Sequence, residues 1–223
     1  MKAGAERVKS PASDYYQRVR TDLLKLAPEI SGSVLDVGCG EGATLRHLLS
    51  HGVRRAVGVE YVDDAVEKAR GAGLEVFKVD LNRGQLPFGE KEFDCILFGD
   101  VLEHLIDPWQ VLRDAVRCLK DDGTALLSIP NVKHYRVLRD LIFLDSWEYT
   151  EEGILDSTHL RFFTLRETRK LIAASGLAIA KLEYNIDCPG YLSMLNFLLG
   201  RRLSSFITVQ YLIAARKAHD AGA

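Results

Sequence analysis

The chain has 223 residues, 47% hydrophobic and 27% charged, and one domain of this size buries about 70% of the surface its unfolded chain exposes, with no need of disulfide or metal staples. With 29 Lys+Arg against 31 Asp+Glu the net charge is −2, so no global positive field draws the chain onto nucleic acid or anionic lipid, and a dedicated nucleic-acid binder is disfavoured. Cys39, Cys95, Cys118 and Cys188 form no C-x-x-C pair, which argues against a zinc ribbon and a secreted disulfide framework and predicts a reducing, cytoplasmic compartment.

The first dozen residues carry charge without an apolar stretch, and no apolar run approaches the ~20 residues that span a bilayer. Ser13 is placed to cap a helix carrying Tyr15, Val19, Leu23 and Leu26 and ending at Pro28. A short apolar strand follows over Ser33 to Val37, then glycines, then the helical pattern of Leu45, Leu48 and Leu49. Ala56 to Val59 reads as a second strand, Asp63 as the cap of a helix carrying Val66 and Ala69, Glu75 to Val79 as a third strand and Phe93 to Phe98 as a fourth. The fourth is apolar at nearly every position, as a parallel strand covered on both faces should be. Asp107-Pro108 opens a helix, Ala125 to Ile129 is a fifth strand, and the alternation specifies a doubly wound α/β sheet.

After Pro130 the rhythm breaks until the capping box Thr164 to Glu167, whose helix Gly176 is placed to stop. Strand-like runs over Leu177 to Ile186 and Phe206 to Arg216 close the chain. Between them GYLSMLNFLLG, Gly190 to Gly200, reads at helical spacing as a docked core or interface helix in preference to a membrane-surface anchor. No repeat or linker divides the chain, so one domain is expected over residues 13–217, with flexible ends at 1–12 and 218–223. The irregular insertion at 131–163 is expected to act as a lid over substrate.

VLDVGCGEGA, Val34 to Ala43, puts Gly38, Gly40 and Gly42 where a strand turns into a helix, so backbone N–H groups and the helix dipole face an incoming ligand. The loop satisfies G-x-G-x-x-G/A with Ala43 in the last place, so dinucleotide binding competes as a reading. Glu60 follows Gly40 by 20 residues, suits the hydroxyls of a ribose, and is common to both readings. Asp36, just before the glycines, would oppose a pyrophosphate but suit an α-ammonium group, and Asp80 in VDLN would accept from an adenine amine. A ligand among Asp36, Glu60 and Asp80 should carry amine and hydroxyl donors and positive charge; S-adenosylmethionine has these features.

VLDVGCGEG, GVEYVDDAVEKA, VDLNRGQLPFGEKEFDCILFGDVLEHLIDPWQVL and LKDDGTALLSIPN resemble the successive motifs of class I S-adenosylmethionine-dependent methyltransferases, in register from Val34 to Asn131. The resemblance implies a Rossmann-like, mostly parallel seven-stranded sheet whose last strand is antiparallel, with Asp36, Gly38, Gly40, Glu60, Asp80, Leu81 and Gly99 around the cofactor. The segment DSTHLRFFT is similar to one shared by methyltransferases of polysaccharide and glycolipid pathways, which implies a sugar-like hydroxyl as methyl acceptor.

A hydroxyl is a poor nucleophile unless its proton leaves during attack, so a general base or a metal is called for. His159 in DSTHLRFFT and His104 in VLEH are the candidates, with His159 ahead. Asp100, Glu103, His104 and His159 also resemble the metal clusters of some ubiquinone-pathway and small-RNA methyltransferases, with Asp100 in place of the first of two glutamates; the leading reading assigns no metal. Tyr135, Phe143, Trp147, Tyr149, Phe162 and Phe163 with His134, Arg136, Arg139 and Arg161 could stack on or hold an acceptor, and equally could form the insertion's own small core. A quinone, lipid or RNA-end acceptor, or a non-catalytic module that binds the cofactor, remains as an alternative, and a homodimer is compatible with the sequence.

Overall fold

The computed structural model describes residues 18–27 and 30–218. The expected cap at Ser13, the stop at Pro28 and the flexible ends at 1–12 and 219–223 lie outside the described residues. The expected tail begins at 218, and there the Ala218 amide donates to the Gly176 carbonyl at 2.9 Å.

The elements in chain order are α1 (Thr21–Leu24), β1 (Ser33–Val37), α2 (Ala43–Ser50), β2 (Arg55–Glu60), α3 (Asp63–Gly71), β3 (Glu75–Lys78), β4 (Phe93–Gly99), a 3-10 turn (Leu102–His104), α4 (Pro108–Cys118), β5 (Leu119–Pro130), α5 (Tyr135–Phe143), α6 (Leu165–Ala174), β6 (Leu177–Ile186), α7 (Gly190–Leu198), α8 (Ser204–Ile207) and β7 (Thr208–Lys217). The sheet runs β3-β2-β1-β4-β5-β7-β6. The first five strands in this order are parallel, and β7 lies antiparallel between β5 and β6. The doubly wound sheet is the one expected from the alternation of strands and helices, and its seven strands with an antiparallel last strand are what the family resemblance implied.

Each face of the sheet carries its own core. Leu35, Val37, Val59, Ile96, Phe98 and Leu127 pack with Leu112, Leu171 and Ile172 from α4 and α6. The alternate residues Val34, Ala56, Cys95, Leu97 and Leu126 pack with Leu23, Leu45, Leu48, Val66 and Ala69 from α1, α2 and α3. That alternation explains why β1 is buried at all five positions: each side chain has a helix above or below it.

Several local expectations shift. Asp63 is the first helical residue of α3, with Val62 at the cap, because the carboxylate sits in the first turn and complements the helix dipole without bonding an amide. β5 starts at Leu119, with an irregularity between the Phe93↔Leu119 and Cys95↔Thr124 pairs. The first turn of the expected last strand is the short helix α8. The insertion at 131–163 contains a regular helix, α5, and its base is closed by an Asn131↔Phe163 bridge. α7 is not a core helix: within it only Asn196 is buried. Asp107 and Thr164 do cap α4 and α6 through the amides of Gln110 and Glu167.

The chain winds one way from β1 to β3 and the other way from β4 to β5, so the order reverses between β1 and β4. At such a point the connections leave in opposite directions and open a crevice beyond the carboxyl ends of the strands.

Candidate active site

The glycine loop stands at that crevice. Gly38, Gly40 and Gly42 have φ of +72°, +54° and +77°, the left-handed region that only glycine enters freely. A side chain at Gly38 would also put its Cβ 2.6 Å from Cγ2 of Val101, just past β4, and one at Gly42 would meet Leu74 at 2.2 Å. The loop is held from β2, whose Val59 carbonyl accepts from the amides of Gly38 at 2.8 Å and Cys39 at 3.1 Å.

Glu60, at the end of β2, closes the loop from the side. Its Oε2 accepts from the Gly40 amide at 2.9 Å, and its Oε1 from the amides of Tyr61 at 2.7 Å and Val62 at 2.9 Å. A carboxylate has about four acceptor positions, so one remains, on Oε2. Asp36 is buried in β1, and its carboxyl is pushed up to about 7 by burial, against the pull of the Arg20 guanidinium and with the push of Glu60. Asp80, past β3, receives the Asn82 amide at 3.0 Å and pairs with Arg83 at 3.5 Å, while Leu81 packs against the core. Gly99 ends β4 beneath Arg20, whose Nη1 would lie 2.8 Å from a Cβ placed there.

Asp100 separates from the set in which the sequence placed it. Its Oδ2 pairs with Arg20 Nη1 at 2.8 Å, and its Oδ1 accepts from the Ser128 hydroxyl on β5 and the Gln210 amide on β7. Arg20 in turn pairs with Asp22 at 3.0 Å. These bonds bind the strand ends of β4, β5 and β7 to the chain before β1.

Glu103, His104 and His159 do come together, with one ligand-type atom from each lying within 4.8 Å of the others. The backbone arranges this: the Glu103 carbonyl accepts from the amides of Leu160 at 2.8 Å and Arg161 at 2.9 Å, pinning the end of the insertion onto the turn after β4. The His104 and His159 rings meet edge to face with centroids 4.7 Å apart. His159 Nδ1 lies 3.0 Å from the Ile154 carbonyl, which can only accept, so Nδ1 carries a proton. The Thr158 hydroxyl donates to Asp156 Oδ1 at 2.6 Å and faces His104 Nδ1 at 3.0 Å. It therefore accepts from that nitrogen, and His104 Nε2 is the lone-pair nitrogen. Burial and the neighbouring His159 hold His104 below the ordinary histidine range, so it is neutral near pH 7.

The Glu103 side chain is fully buried, and neither carboxyl oxygen has a hydrogen-bond partner. Burial, and then the charge of Asp100, push it well above the usual carboxylate range. The His104 imidazole can take up a proton from a substrate, and His104, His159 and the unsatisfied Glu103 carboxyl together offer ligand atoms to a divalent cation. Beside them the Phe162 ring meets His159 at 6.3 Å and Trp147 at 5.3 Å, with Tyr149 at 6.5 Å, an aromatic wall on one side of the histidines. Tyr135 and Phe143 lie apart, on α5.

Arg20, Asp156 and Thr158 were not singled out in sequence. Thr158 and Asp156 were within reach, because they belong to the same DSTH run as His159. Arg20 gave no signal, since its partner Asp100 lies 80 residues away.

With this geometry in view, likeness to known proteins becomes informative. The methyltransferase-domain family matches residues 12–182. A probable S-adenosylmethionine-dependent methyltransferase of Mycobacterium tuberculosis is 30% identical over 118 residues, covering 52% of this chain and 43% of that protein. The chain thus matches less than half the length of that relative. A ubiquinone biosynthesis O-methyltransferase of Methylococcus capsulatus is 30% identical over 215 residues, 92% of this chain and 85% of that protein. A crystal structure of an S-adenosylmethionine-dependent methyltransferase from Archaeoglobus fulgidus superposes with a TM-score of 0.68 at 18% identity, covering 88% of this chain and 92% of that one. By sequence motif, sheet order and the span of these matches, the chain belongs to the class I S-adenosylmethionine-dependent methyltransferases.

Proposed function

We propose that this protein transfers a methyl group from S-adenosylmethionine to a hydroxyl oxygen of a small-molecule acceptor, a sugar or related metabolite being the first class to test. The observation that carries the reading is the convergence of His104, His159 and Glu103 at the same sheet edge as the glycine loop.

Asp36, Gly38, Gly40, Glu60, Asp80, Leu81 and Gly99 hold the cofactor in this reading. The fit is supported by the left-handed glycine loop at the carboxyl end of β1 and by Asp36, a buried carboxyl that a nearby cation would help to ionise. When bound, S-adenosylmethionine supplies an electrophilic methyl group on a sulfonium. The protein's part is to align the acceptor, exclude water and receive the acceptor's proton. His104 Nε2 takes that proton: its ring is the more open of the pair, and Asp156 acting through Thr158 fixes its tautomer. His159 packs against His104 and positions it. The insertion 131–163 forms the lid over the acceptor, where Trp147, Tyr149 and Phe162 are placed to stack on a ring.

Glu103 favours a second reading, in which Glu103, His104 and His159 bind a divalent cation that would satisfy the carboxyl's two unpartnered oxygens and act as a Lewis acid. Thermal unfolding with and without added magnesium, manganese or zinc, compared with Glu103→Gln, separates the two readings without using activity. Turnover is tested by incubating the protein with S-adenosylmethionine and a panel of sugar, phenol and quinol hydroxyls and measuring S-adenosylhomocysteine. Release above the acceptor-free rate for at least one hydroxyl, abolished in His104→Ala, is expected. Tight cofactor binding with no release across the panel would instead leave the protein a cofactor-binding module.

A further inference from the structure

α7 is apolar where a helix of a water-soluble domain should be polar. Tyr191, Met194, Leu195 and Leu198 recur at i, i+3, i+4 and i+7 and form one outward ridge with Phe197 beside it. All five are exposed, Phe197 by 72% and Leu198 by 70%. The inner side of the helix is the half-buried Leu192 and the buried Asn196.

Charge at this surface is one-sided. From Cys188 to Lys217 the sequence contains no Asp or Glu, and Arg201 and Arg202 stand exposed immediately past the helix. Their place is built. Asn196 receives the Leu203 amide on its side-chain oxygen at 2.9 Å and donates to Ser204 Oγ at 3.3 Å, while its carbonyl receives the Arg201 amide at 2.7 Å. Gly200 and Arg201 have φ of +61° and +62°, which turns the chain back beside the helix end. Two nearby acids are engaged: Asp187 pairs with Arg136 at 2.9 Å and Asp140 with Arg139 at 2.6 Å.

The position is also specific. β6 runs in the same direction as β5, and Asn185, Gln210 and Pro130 lie in one row of the sheet. α7 therefore leaves from the carboxyl edge, where the glycine loop and the histidines stand. Ile142 and Phe143, at the end of the α5 that follows β5, are exposed as well.

We propose that α7 docks this protein on an anionic phospholipid surface, its apolar ridge entering the headgroup region and Arg201 and Arg202 meeting lipid phosphates. An apolar ridge rimmed by arginines and free of acids is the pattern of a helix lying in a membrane interface. It would face the site's opening to the bilayer. The inference does not depend on which hydroxyl is methylated.

The test is co-sedimentation of the full chain with phosphatidylcholine vesicles, with and without phosphatidylglycerol. Binding to the anionic vesicles is expected, weakened by salt, at least about tenfold weaker in Phe197→Ser/Leu198→Ser, and about fivefold weaker for each of Arg201→Gln and Arg202→Gln. These side chains are exposed, so unchanged calorimetric affinity for S-adenosylmethionine confirms that the variants fold. Absence of binding to anionic vesicles overturns the proposal, as does binding that the serine variant retains. A concentration-dependent dimer that the serine variant abolishes, with no vesicle binding, would assign the ridge to a second copy of this chain and likewise overturn it.

Discussion

The rings of His104 and His159 meet edge to face at 4.7 Å although 55 residues separate them, because the Glu103 carbonyl receives the amides of Leu160 and Arg161. With His104 as the proton acceptor, His104→Ala lowers kcat by about 10²- to 10⁴-fold while calorimetric affinity for S-adenosylmethionine stays within about twofold, about 0.4 kcal/mol. His159→Ala lowers kcat through misplacement of His104, and added imidazole rescues His104→Ala better than His159→Ala. A parallel loss of cofactor affinity in both variants would reassign the pair to cofactor binding.

With Asp36 at the cofactor's cation, as proposed, cofactor binding should be pH-dependent. The Asp36 carboxyl is pushed up to about 7 chiefly by burial, so in the ligand-free fold it holds a proton that an unfolded chain releases near pH 4. The stability this confers is complete below pH 4 and is lost as pH rises to about 7. A bound cation favours the ionised form, so affinity for S-adenosylmethionine should rise between about pH 6 and 8 with proton release, read by calorimetry in buffers of different ionisation enthalpy. Asp36→Asn should remove the pH dependence, weaken binding, and raise the ligand-free stability at pH 8 by about 1–4 kcal/mol.

Gly38→Ala should cost stability and cofactor affinity together. The left-handed φ costs about 1–2 kcal/mol for an alanine, and the new Cβ would stand 2.6 Å from the Val101 side chain. Adding Val101→Ala should recover the packing part but not the backbone part. Thermal melts of the single and double variants check this, and full recovery would show that φ contributes nothing.

Asp94 should set the acid limb of stability. Partial burial opposes its ionisation, but Lys120 at 2.8 Å and the amide and hydroxyl of Ser33 at 2.7 and 2.9 Å hold it at about 2. Its stabilising effect is present above the unfolded value near 4 and is lost as pH falls to about 2. With the side chain 37% exposed, solvent screening reduces the contribution to about 1 kcal/mol. Denaturant unfolding of Asp94→Asn should show that deficit at pH 7 and convergence with the parent chain near pH 2.

Much of the architecture was legible because its causes are local. Apolar runs such as Phe93 to Phe98 declare a strand buried on both faces, Asp107-Pro108 and Thr164 announce helix starts, and the glycine loop announces its left-handed turns. The fifth strand, expected from Ala125, begins at Leu119 because Leu119 pairs with Phe93 beyond the irregular stretch Lys120 to Gly123, and the insertion expected to be irregular holds the helix α5.

The linear order of residues by itself determined the sheet class, the glycine cradle and the acids at the strand ends, since each depends on spacing within a few residues or on the period of burial. Tertiary structure alone decided which distant side chains meet. It brought His159 onto Glu103 and His104 and gave Asp100 to Arg20, Ser128 and Gln210. It also turned the ridge of α7 outward. The reason is that side-chain partnership depends on the crossing of strands in space, and a periodicity that says a helix has an apolar face does not say whether the fold supplies anything to cover it.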